Sequence, residues 1–192
     1  MSEAPAGRPI KPIAADRLRE RLRKSAFAYL NRYAASQAHF AGVLRRKLGR
    51  WADMGLIEAD SVDAAGLVAA VVADVAALGL LDDRAFADGR TASLRRKGGS
   101  RRKIALGLRA KGVDAETAAA ALAAADIDEA EAALRLARRR RLGPWRVEPR
   151  SDDRAGRDRD IGVLVRQGFA YSLARQVIGM GLEEAEERLA GG

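Results

Sequence analysis

The sequence contains no cysteine, which excludes disulfides, zinc–thiolate sites and cysteine nucleophiles and suits the reducing cytosol. It contains a single histidine, His39, and a lone histidine forms neither a triad nor a metal cluster. Aromatic residues make up only 5% of the chain, and the β-branched, aromatic-rich runs that build sheets are nearly absent. No stretch of about eighteen residues is apolar and uncharged, so no membrane-spanning helix is expected. Residues 1–16 lack the apolar run of a secretory signal. A cytoplasmic protein is the expectation. Negative charge is in deficit, with 35 Lys and Arg against 26 Asp and Glu, a net charge of +9. That balance favours a polyanionic partner, because basic surface gains from phosphate charge and counterion release.

What is present forms helices. The apolar share is carried by alanine, leucine and valine, and alanine and leucine lose little side-chain entropy in a helix. Residues 1–15, with Pro5, Gly7, Pro9 and Pro12, read as a flexible N-terminal tail. From Asp16, the residues Leu18, Leu22, Ala26, Tyr29, Leu30 and Tyr33 form one helical stripe. Ser36 caps a second helix carrying Phe40, Val43, Leu44, Lys47 and Leu48 and running towards Trp51. Asp63 caps a third, with Val68, Val71, Val72 and Val75 on one face and Gly79 as its stop. Asp82-Asp83 starts the next helix, through Phe86 and Leu94, which ends in Arg95-Arg96-Lys97-Gly98-Gly99. Ser100 caps a short helix through Ile104 and Leu108, and Asp114 caps another through Ala118 and Leu122. A longer helix spans about Asp128 to Arg141, ended by Gly143-Pro144. After a charged loop at 145–157, two more helices run from about Asp158 to Gln167 and Tyr171 to Ile178.

The pattern repeats. Leu108, Val113, Ala118 and Leu122 around Gly112 match Leu164, Phe169, Ala174 and Ile178 around Gly168 at the same offsets. The predicted fold is all-α, an elongated tandem array of three three-helix repeats at 16–80, 81–125 and 126–180. Residues 181–192 read as a C-terminal tail. A three-helix unit of this size buries little surface, so neighbouring repeats must share stability.

The central repeat resembles that of the RecX regulatory proteins. The resemblance rests on Gly79-Leu80-Leu81-Asp82-Asp83-Arg84-Ala85-Phe86-Ala87, Arg95-Arg96-Lys97-Gly98, Arg101-Arg102-Lys103-Ile104 and Leu108-Arg109-Ala110-Lys111-Gly112-Val113, in that order. Leu164-Val165-Arg166-Gln167-Gly168-Phe169-Ala170-Tyr171 is similar to the last repeat of that family. It implies a monomeric, non-enzymatic protein, without cofactor or metal, that binds RecA filaments on single-stranded DNA. There it inhibits or modulates RecA in DNA repair and recombination. The alternative is a sequence-independent DNA-binding protein acting directly on DNA.

The candidate contact residues are Arg95, Arg96, Lys97, Arg101, Arg102 and Lys103, with Arg45, Arg46 and Lys47 as a second basic group. The central set brackets a glycine turn, which is expected to offer free backbone N–H groups beside six cations, a geometry suited to phosphates or carboxylates. It lacks the full P-loop spacing and any preceding strand, so nucleotide hydrolysis is not expected. Arg138–Arg141 reads equally well as a solvated helix face. Asp82-Asp83 is a helix start rather than a ligand pair, and Asp152-Asp153 lies in the charged loop. Trp51 is expected between helices, while Trp145 fits core cover and partner contact alike.

Overall fold

A computed structural model describes residues 13–57, 62–126, 128–146 and 154–191. All regular structure among them is helical: α1 (Ala15–Leu30), α2 (Gln37–Asp53), α3 (Ala64–Ala77), α4 (Asp83–Arg96), α5 (Arg101–Arg109), α6 (Ala115–Ala124), α7 (Glu129–Arg140), α8 (Arg154–Arg166), α9 (Tyr171–Gly179) and α10 (Leu182–Ala190), with a 3-10 turn at Gly143–Trp145. No described helix is long and apolar enough to cross a membrane. The chain divides into two compact units, residues 1–83 and 84–192.

Local chemistry sets most helix starts. Ser36 Oγ accepts the His39 N–H at 3.2 Å, Asp63 accepts that of Gly66 at 2.9 Å, and Ser100 accepts that of Lys103 at 3.1 Å. Asp114 accepts from Thr117 at 2.8 Å, and Asp128 accepts from Ala130 at 2.7 Å. Each such cap contributes about 1 kcal/mol by satisfying an otherwise unpaired donor. Six helix ends share one pattern. The N–H groups of Leu56, Leu80, Gly99, Val113, Leu142 and Phe169 each bond back to the carbonyl five residues earlier. The residue before each of these has positive φ and is glycine in every case but Arg141. This is the Schellman end, which satisfies carbonyls left open in the last turn.

In the first unit, Leu18, Leu22 and Ala26 of α1 meet Phe40, Leu44, Leu48 and Trp51 of α2 and the Val68–Val71–Val75 face of α3. Tyr33, expected on the buried stripe, is 51% exposed. Helix α1 stops at Leu30, so the spacing no longer holds, and the ring rests 5.1 Å from that of Tyr29. Asp83 closes the unit by accepting the Gln37 N–H of α2 at 2.7 Å.

In the second unit, α4–α6 and α7–α10 share one core. Ala87, Ile104, Leu108, Val113 and Ala121 cluster with Leu134, Leu136, Ile161, Leu164, Phe169 and Val177. Helix α7 buries Ala132, Ala133, Leu134, Leu136 and Ala137. Two expectations are corrected here. Residues 182–190, expected within a tail, form α10, which packs on α7 and buries Ala185 completely. Helix α8 begins at Arg154, before the expected Asp158, since its first turn, Arg154-Ala155-Gly156-Arg157, carries no apolar periodicity to reveal it. Of the loop at 145–157, residues 147–153, including Asp152-Asp153, lie outside the described residues. Asp160 holds its flanks together, accepting the Gly143 N–H at 2.9 Å and pairing with Arg146 at 2.5 Å.

Candidate functional site

The glycine turn between α4 and α5 is a packing site. Gly98 has φ +70°, and a Cβ there would lie 2.6 Å from the Leu136 nitrogen and 2.7 Å from the Ala132 oxygen, so the α7 backbone rests directly on it. Four donors around the turn are occupied. The N–H of Gly98 bonds Arg95, and that of Gly99 bonds Leu94. The N–H of Arg101 bonds the Glu129 carboxylate at 2.6 Å, and Lys103 is taken by Ser100. The expectation of free backbone donors for a phosphate is therefore narrowed: the cap, a remote glutamate and the Schellman bonds use four of them.

The six cations around the turn divide by role. The Arg95 guanidinium, half-buried, donates to the Ala125 carbonyl, and that of Arg101 donates to the Leu122 carbonyl at 3.2 Å. Both close the C-terminal end of α6, where cations also complement the helix dipole. Arg96, Lys97, Arg102 and Lys103 remain exposed.

These four line two separate clefts. Arg96 and Lys97 share one of about 380 Å³ with Arg135, Arg138 and Arg139 of α7 and Leu189 of α10. Arg102 and Lys103 share the other with Leu106, Val165, Arg166, Gln167 and Gly168. The second is anchored by Ser100 Oγ, which donates to the Gln167 carbonyl at 2.6 Å. Arg135 and Arg166 join these clefts without being among the candidate contacts, and Arg138 and Arg139, expected equally as a solvated face, line the first. A signal was present, since Arg135, Arg138 and Arg139 stand three and four residues apart on one face of α7.

The other candidate group lies on α2 in the first unit. Arg45 and Arg46 are exposed. Lys47 is half-buried, its ammonium 5.6 Å from the centre of the Trp51 ring, with Arg21 at 5.1 Å from the same ring. Trp51 is 7% exposed and packed between helices, so Lys47 is engaged while its two neighbours face solvent. Trp145 packs against the core of the second unit, and its indole N–H donates to Glu186 at 2.6 Å. The Asp114 carboxyl is held below its ordinary titration range by the hydrogen bonds it accepts from Thr117. That is cap chemistry.

Residues 82–122, spanning α4, α5 and most of α6, match the family model described as RecX, second three-helix domain. A protein from Myxococcus xanthus named Regulatory protein RecX is 39% identical over 159 residues, 82% of this chain and 83% of that protein. The chain belongs to the RecX family. A second protein of that name, from Agrobacterium fabrum, is 36% identical over 111 residues, 57% of this chain and 58% of its own. The second three-helix domain of RecX proteins thus corresponds here to the segment that carries Arg95–Lys97 and Arg101–Lys103.

Proposed function

We propose that this RecX-family protein binds RecA filaments assembled on single-stranded DNA and restrains their growth or activity, without catalytic turnover. The observation that carries this reading is the similarity to Regulatory protein RecX across most of both chains. The mechanism is steric and electrostatic. Short helical repeats present cations at intervals, and a filament is itself a repeated partner. Weak contacts made in parallel then add through effective concentration.

Arg96, Lys97, Arg102 and Lys103 are the proposed contacts in the second unit, and Arg45 and Arg46 in the first. Arg95 and Arg101 act indirectly, by holding α6 beneath them. A second reading, direct sequence-independent binding to DNA, is favoured by the net charge of +9 and by the two basic clefts.

Co-sedimentation with RecA filaments tests the assignment. Arg96→Glu with Lys97→Glu, and separately Arg102→Glu with Lys103→Glu, are expected to lower the bound fraction while the helical spectrum stays intact. Undiminished binding by both folded double variants contradicts the site.

A further inference from the structure

The cleft beside α7 has more positive charge than its own carboxylates neutralise. Arg135 is paired with Glu131, and Arg138 lies 3.5 Å from Glu186. Arg96, Lys97 and Arg139 have no ion-pair partner among the described residues. Three arginines follow one face of α7, and the end of α4 supplies two cations from across the cleft. Among the described residues no aromatic ring lines it, and its apolar lining is Leu189.

That chemistry matches a phosphodiester strand better than an unstacked base or a protein surface. A strand carries a regular line of negative charge into a concave row of guanidinium groups, which bind phosphate oxygens in pairs. Base binding to single strands relies on aromatic platforms, which this cleft lacks. The Arg138–Glu186 pair is half-exposed on both sides, 59% and 41%, so it is weak and readily exchanged. The same carboxylate is held in place by the Trp145 indole.

We propose that this cleft binds the phosphate backbone of a nucleic-acid strand, and that Glu186 on α10 competes with the strand for Arg138. This rests on the second reading above and deepens it, because it assigns contact with bare DNA to the cleft along α7 and makes the C-terminal helix a brake on it.

The test is fluorescence anisotropy of a labelled oligothymidylate titrated with the full chain at several salt concentrations, with no RecA present. Each cation engaged on a single strand contributes about 0.7 to the slope of log affinity against log salt. Glu186→Gln frees Arg138, so binding tightens and the slope steepens by about 0.7. Lys97→Ala with Arg139→Ala flattens it by about 1.4, and Arg139→Lys retains the wild-type slope. Slopes that match wild type in both Glu186→Gln and the double alanine variant overturn the proposal. So does a double variant that loses its effect on RecA while binding the oligonucleotide normally, which assigns the cleft to an acidic protein surface. If wild type has no effect on RecA yet the salt slopes shift as stated, the filament reading fails alone and the cleft assignment stands.

Discussion

Gly98→Ala is expected to damage the second unit far more than an ordinary glycine-to-alanine change at a helix end. Two costs combine. An alanine held at φ +70° bears the left-handed penalty of about 1–2 kcal/mol. Its methyl also occupies space already filled by the α7 backbone, 2.6 Å from the Leu136 nitrogen, and overpacking of this kind costs about 1–3 kcal/mol more. The sum is roughly 2–5 kcal/mol. In a unit of about a hundred residues that lowers the melting midpoint by at least about 8 °C. Gly79 provides the internal comparison: it has the same φ of +70°, but nothing lies within 4 Å of its would-be Cβ. Gly79→Ala should therefore show the conformational cost alone. Each unit carries one tryptophan, Trp51 or Trp145, so urea unfolding followed by fluorescence reads them separately. Gly98→Ala is measured in a Trp51→Phe background and Gly79→Ala in a Trp145→Phe background. Equal losses at the two glycines would refute the close approach of α7 and reopen the turn as a ligand site.

Arg141 occupies the left-handed position after α7, where every other Schellman end has glycine. Arg141→Gly is expected to raise stability by about 1 kcal/mol in urea unfolding, and a loss of stability contradicts that reading. Thr91 is fully buried in α4 and its hydroxyl finds no hydrogen-bond partner. Thr91→Val should leave stability unchanged or raise it by up to about 1 kcal/mol, and a clear loss would mean the hydroxyl is engaged. Asp114 titrates below the ordinary aspartate range because its charged form accepts the Thr117 N–H. With a folded pKa below the unfolded one, its contribution is complete above the unfolded value and disappears as pH falls through the folded value. The stability difference between wild type and Asp114→Asn should therefore shrink on acidification; a constant difference from pH 6 to pH 2 removes the carboxylate from the account.

Much of the architecture is legible in the chain because helix boundaries are local chemistry. Ser36, Asp63, Ser100 and Asp114 announce their helices, and the matched offsets around Gly112 and Gly168 announce the repeat. The basic clusters are equally visible, but their division is not. Arg95 and Arg101 turn inward because the carbonyls of Leu122 and Ala125 end α6 beside them, a neighbour more than twenty residues away. The donors of the glycine turn are occupied partly by Glu129, 28 residues beyond Arg101. Only the packing of α7 on Gly98 places Arg135, Arg138 and Arg139 across from Arg96 and Lys97. Helix α10 offered a signal in Leu182, Ala185 and Leu189, three apolar residues at helical spacing in an acidic stretch. Nothing in that spacing reveals that Glu186 reaches both Trp145 and Arg138.

The central claim is regulation of RecA filaments, and DNA-dependent ATP hydrolysis by RecA tests it most directly. The protein is added well below the concentration of RecA, in amounts too small to cover the DNA. Suppression of hydrolysis under those conditions is the predicted result, because a few bound molecules then act on whole filaments. Hydrolysis that stays unchanged until the DNA is saturated contradicts the claim and leaves simple competition for DNA as the activity.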